Sequence, residues 1–125
     1  MTEAKRIKQE LFNTVARHML TQMAKSEDDL GSCLYRGPNG LKCAIGCLIP
    51  DEVGISRNRE AVDDLLDVLP DALPRFKGDV DFYMGLQDIH DCHNPDDWKR
   101  LLSRFARNRK LTMPDVVTTW SPNER

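Results

Sequence analysis

The stretch CLYRGPNGLKCAIGCLIPD, residues 33–51, decides whether this chain is purely helical or carries a β element. It holds three of the four cysteines, three of the seven glycines and two prolines. Pro38-Asn39-Gly40 is turn chemistry: proline fixes the first turn angle, and asparagine and glycine tolerate positive φ. With SCLYRG before it and LKCAIG after it, the pattern predicts a short β-hairpin pairing 32–37 with 41–46. A competing reading has Cys43 open a helical turn that Pro50 stops.

Helical patterns surround this stretch. Ile7, Leu11, Val15, Met19 and Met23 recur every fourth residue, with Arg6, Gln9, Asn13 and Arg17 opposite, which predicts an amphipathic helix over 3–25. SEDDLGS (26–32) is a polar loop. Ser56 is a candidate N-cap for a helix over 57–69, with Ala61, Val62, Leu65, Leu66 and Leu69 on one face. Asp79 caps a helix over 80–92 bearing Phe82, Leu86 and Ile89. Asn94-Pro95-Asp96-Asp97 is the clearest helix start, with a cap, a proline at the first position and two acids at the positive dipole end. That helix runs to about 109 and buries Trp98, Leu101, Leu102 and Phe105. Residues 114–125 read as a surface tail anchored by Trp120. The expected fold is mainly α (α+β): about four helices around a short β-hairpin, in a single domain over 1–125.

Composition agrees with a globular domain, at 40% apolar and 30% charged residues. No apolar run approaches the roughly 18 residues of a membrane helix. MTEAKRIKQELF lacks the apolar core of a secretory signal, so the expected compartment is the cytoplasm, with cysteines as thiols or metal ligands. Net charge is −2 but unevenly spread. Residues 51–97 hold thirteen acids against four bases, a local −9, whereas 98–110 hold six bases and no acid.

Three chemistries compete at the dense stretch. Cys33, Cys43 and Cys47 with His90 offer four soft ligands for a structural zinc, although neither a C-x2-C nor an H-x3-H spacing is present. Cys43 with His90 and Asp91 supplies the residue types of a cysteine hydrolase. Adjacent His90 and Asp91 point about 100° apart on a helix, which argues against a base–orienter pair. Lys99, Arg100, Arg104, Arg107, Arg109 and Lys110 form a basic helix that suits nucleic-acid phosphates, most directly through Arg100, Arg104 and Arg107. GPNGLKC lacks phosphate-loop spacing. Arg36 and Lys42 are what a purely structural account of the hairpin leaves over, and Tyr35 with Arg36 is a candidate binding surface beside a reading that packs Tyr35 on the core. Tyrosine and arginine dominate contact surfaces, and two cations side by side suit an anionic ligand or an acidic partner.

Cys33, Tyr35-Arg36-Gly37, Gly40, Lys42-Cys43-Ala44-Ile45-Gly46 and Leu48-Ile49-Pro50-Asp51 together resemble a family of small proteins encoded by tailed phages and prophages. Leu11-Phe12, Leu86-Gln87-Asp88-Ile89-His90-Asp91 and Trp98 are similar as well, so the resemblance spans residues 8 to about 105. It brings no activity and no catalytic residues. It implies a small accessory protein made inside a bacterial cell, binding a host protein or sequestering a small signalling molecule, in some cases against host defence. The leading expectation is therefore a non-enzymatic binding protein acting through the Tyr-Arg-Gly hairpin. The alternatives are a zinc-stabilised nucleic-acid-binding module and a cysteine hydrolase.

Overall fold

Four helices carry the fold in a computed structural model that describes residues 2–55 and 61–115. In chain order they are α1 (Glu3–Gln22), α2 (Val62–Val68), α3 (Asp79–Cys92) and α4 (Pro95–Asn108). The protein is mainly α and forms one domain.

Thr2 caps α1 by accepting the Lys5 N–H at 3.1 Å, and the apolar period buries Leu11, Phe12, Val15, Ala16 and Met19. The helix stops three residues early because Met23 enters the left-handed region at φ 49°. The start of α4 falls where the sequence puts it, with Pro95 in the first turn followed by Asp96 and Asp97. Asn94 has capping backbone angles but makes no side-chain capping bond. Asp79 is the first residue of α3 rather than its cap, which is Gly78 at φ 81°. The Asp79 carboxylate instead accepts from Arg75 Nε at 2.6 Å and from the Phe76 and Val80 N–H groups. α2 begins at Val62, and both Ser56 and Trp120 lie outside the described residues.

α4 packs on α1 and α3, and α2 packs on α3. Aromatic rings join these layers. Phe12 stacks on Phe105 at 5.8 Å, Phe82 meets Phe105 edge-on at 5.5 Å, and Trp98 is fully buried. Such pairs add roughly 1 kcal/mol each beyond area burial.

The hairpin shrinks to a single antiparallel bridge between Arg36 and Lys42, and no β-strand occurs among the described residues. The expected turn is present as a 3-10 turn over Pro38–Gly40, with Asn39 and Gly40 at φ 58° and 78°. After Lys42 the ladder fails because the chain coils. Cys47 N–H reaches Cys43 O, Leu48 N–H reaches Ile45 O, and a second 3-10 turn forms over Gly46–Leu48. The helical-turn reading of Cys43 to Pro50 is thus the better description beyond Lys42. Gly46 passes directly over Tyr35: a Cβ there would stand 1.9 Å from the Tyr35 carbonyl oxygen, so only glycine fits. No described helix is long and apolar enough to cross a membrane.

Candidate functional site

The non-helical segment 24–50 is held by polar side chains projecting from α1 and α3. Gln22 grips the backbone of Lys42 from both sides, accepting its N–H at 3.1 Å and donating to its carbonyl at 2.9 Å. His18, one turn earlier, donates through Nε2 to the same carbonyl at 2.8 Å. Burial lowers the pKa of His18, more than its bond to Lys42 raises it, so the ring is biased toward neutrality. From the other side, Gln87 accepts the Ile45 N–H at 3.1 Å. Backbone groups that a β-ladder would have paired are satisfied by these side chains instead.

His90 is fully buried and stacks on Trp98 at 5.3 Å. The Ser26 N–H donates to its Nε2 at 3.1 Å, so Nε2 is unprotonated and the proton sits on Nδ1. Nδ1–H then donates to Asp91 Oδ1 at 2.8 Å. Adjacent positions on the helix do not keep the two apart, contrary to the expectation from their 100° separation. That angle separates the Cβ directions, not the ends of two side chains that can swing toward each other. Gln87 also donates to the Asp91 carboxylate, at 3.2 and 3.3 Å, and the Cys33 thiol hydrogen-bonds to it.

Cys33, His90 and Asp91 are thereby assembled, each with a ligand atom within 4.8 Å of the others. Cys43 and Cys47 are not part of this group, so the expected quartet of Cys33, Cys43, Cys47 and His90 does not form. Nor does the trio fit zinc. A cation on Nδ1 requires Nε2 to carry the proton, yet Nε2 is the acceptor for Ser26. The chemistry of the group is that of a closed relay, in which thiol and imidazole both donate to one carboxylate.

The geometry does not support a hydrolase built on Cys43 and His90. Cys43 Sγ accepts the Gly46 N–H at 3.2 Å, and both His90 nitrogens are already engaged. Burial pushes the Cys43 thiol up to about 11. Cys47 is pushed to about 12 by burial, and Cys33 to about 12 by burial and by Asp91. Thiols in this range hold their protons at neutral pH and are poor nucleophiles.

Arg36 and Lys42, bridged across the turn, form the second candidate. The bridge sets the Arg36 and Lys42 backbones opposite each other across the turn. Neither is left over in the way the sequence suggested. Lys42 Nζ pairs with Asp51 Oδ1 at 2.8 Å, and Arg36 donates to the Pro50 carbonyl at 2.9 Å. Asp51 is itself 82% exposed, and its pKa is lowered chiefly by the hydrogen bond from Lys42. Tyr35 is buried and belongs to the core, which makes Arg36 and Lys42 the accessible part of the expected Tyr-Arg-Gly face. Arg100, Arg104 and Arg107 lie exposed on α4, away from both groups in sequence.

Sequence reasoning missed the residues that build this region: Ser26, His18, Gln22 and Gln87. A signal was available for two of them, because His18 and Gln22 are four apart and flank the buried Met19 on α1. The chain matches no family model, no curated protein and no solved structure.

Proposed function

We propose that this chain is a small non-enzymatic binding protein of the phage accessory type, acting inside a bacterial cell on an acidic group of a host protein or a small anionic ligand. The observation that carries this reading is the Arg36–Lys42 pair on a backbone clamped by His18 and Gln22. A cation pair on a fixed backbone loses little entropy on binding, which is the advantage of preorganisation. Lys42 already holds the exposed Asp51 carboxylate, which supports an acidic group as the ligand. An incoming carboxylate or phosphate would take its place. Four free thiols suit a reducing compartment.

Native mass spectrometry of the protein purified from bacterial cells tests the reading. A retained anionic ligand or host protein should be lost when Arg36 and Lys42 are both replaced by alanine. It should be held more tightly by Asp51→Asn, which removes the internal competitor. An exposed ion pair of this kind adds little to stability, so thermal unfolding should hardly change in either variant. Identical retention by the double variant would remove Arg36 and Lys42 from the account.

A further inference from the structure

The outer face of α4 is a continuous basic ridge that the proposed binding reading does not use. At about 100° per residue, Lys99, Ser103, Arg107, Arg100 and Arg104 fall within an arc of about 140°. Trp98, Leu102 and Phe105 occupy the opposite side, Ala106 borders the ridge beside Lys99, and all four are buried. Lys99, Arg100, Arg104 and Arg107 are all exposed. From Lys99 to Arg107 the ridge is about 12 Å long. Arg100 makes a loose ion pair with Asp97 at 3.6 Å, and Lys99, Arg104 and Arg107 have no ion pair among the described residues. Arg109 is committed elsewhere, its guanidinium lying 3.9 Å from the Phe105 ring centroid.

Helix electrostatics explains only part of this pattern. Cations are favoured in the last turn by the dipole, which accounts for Arg107. Lys99, Arg100 and Arg104 lie before that turn, where the dipole gives them no advantage. The arc also contains no apolar side chain. Protein interfaces have an apolar core within a polar rim, and this face would supply only rim. A purely cationic strip without an anchor suits a polyanion whose charge is regularly repeated along a line. It also lacks an aromatic for base stacking and the paired amide groups that read base edges.

We infer that α4 is a sequence-independent contact for the phosphodiester backbone of a nucleic-acid duplex, with Arg100, Arg104 and Arg107 as the phosphate ligands and Lys99 beside them. Asp96 and Asp97 close one end of the strip and set where the backbone must leave it.

Fluorescence anisotropy with labelled random-sequence DNA and RNA duplexes of about 20 base pairs, titrated from about 50 to 200 mM salt, tests this. The full chain should bind at low salt with little sequence preference, and the DNA and RNA arms show which duplex it prefers. Replacing Arg100, Arg104 and Arg107 by glutamine should weaken binding at least tenfold. It should also flatten the plot of log affinity against log salt by about 2 to 3. Three matched changes elsewhere, Lys5→Gln, Arg6→Gln and Lys77→Gln, should leave the slope nearly as it was. The exposed positions make misfolding of the triple variant easy to detect by its unfolding curve. Binding absent at low salt, equal loss in both triple variants, or equal competition by a polyglutamate peptide would each overturn the inference. The Arg36→Ala, Lys42→Ala variant should still bind duplex, which separates this inference from the proposed function.

Discussion

Ser26 and His90, sixty-four residues apart in the chain, are joined by a hydrogen bond from the Ser26 N–H to His90 Nε2 inside the core. This one contact fastens the start of the irregular segment to α3. His90→Ala leaves the Ser26 N–H buried without a partner and opens a cavity against Trp98. The expected loss is about 3 kcal/mol in urea unfolding. His90→Phe keeps the ring stack but not the bonds, and should recover only part of that loss. A Phe variant as stable as the parent would show that packing, not hydrogen bonding, is what His90 contributes.

Gly46 should be irreplaceable. Its Cβ position collides with backbone, which cannot move aside as a flexible side chain would. Gly46→Ala is therefore expected to cost about 3 kcal/mol or more. Gly54, which has open space around its Cβ position, should accept alanine within about 0.5 kcal/mol. Comparing the two midpoints in one denaturant series checks both expectations.

Acidification should weaken the clamp on Lys42. His18 has its folded-state pKa lowered below 6.5, so the unfolded chain takes up a proton more readily. Its contribution to stability is complete above about pH 6.5 and is lost as pH falls from there toward the lowered folded value. His18→Gln, which keeps a donor for the Lys42 carbonyl, should lose less stability than the parent between about pH 7.5 and 5.5. Parallel curves for the two proteins would mean that His18 carries no such coupling.

Thiol reactivity gives a direct check on the enzyme reading. With Cys33, Cys43 and Cys47 raised to between about 11 and 12, less than about one in a thousand of each is thiolate at pH 7.5. Cys92 is exposed at the end of α3. Iodoacetamide should label one site first in the native protein, at Cys92, and all four cysteines only after unfolding. Fast native labelling of Cys43 would reinstate the hydrolase.

The helices were legible because their causes are local. The Asn94-Pro95-Asp96-Asp97 start and the four-residue repeat from Ile7 to Met19 contain their own instructions. The juxtaposition of Arg36 and Lys42 was legible for the same reason, since the Pro-Asn-Gly turn dictates it. The strands failed because the Ile45 N–H bonds to a glutamine forty-two positions away, and no pattern near Ile45 announces that. The grouping of Cys33 with Asp91 and His90 was hidden in the same way. The His90–Asp91 bond was hidden by reasoning about Cβ directions when the ends of the side chains decide.

The clamps on segment 24–50 also set the order in which the molecule can be built. Lys42 is held from twenty positions away, Ile45 from forty-two and Ser26 from sixty-four, always by a helix that must already be in place. The dense stretch is therefore expected to order late in folding, and a peptide of residues 24–50 should be unstructured in isolation. Once the helices have closed on it, the amides of Ser26, Lys42 and Ile45 can exchange hydrogen with water only when α1 or α3 detaches. The part of the chain that reads most like a flexible loop should then be among its slowest to exchange.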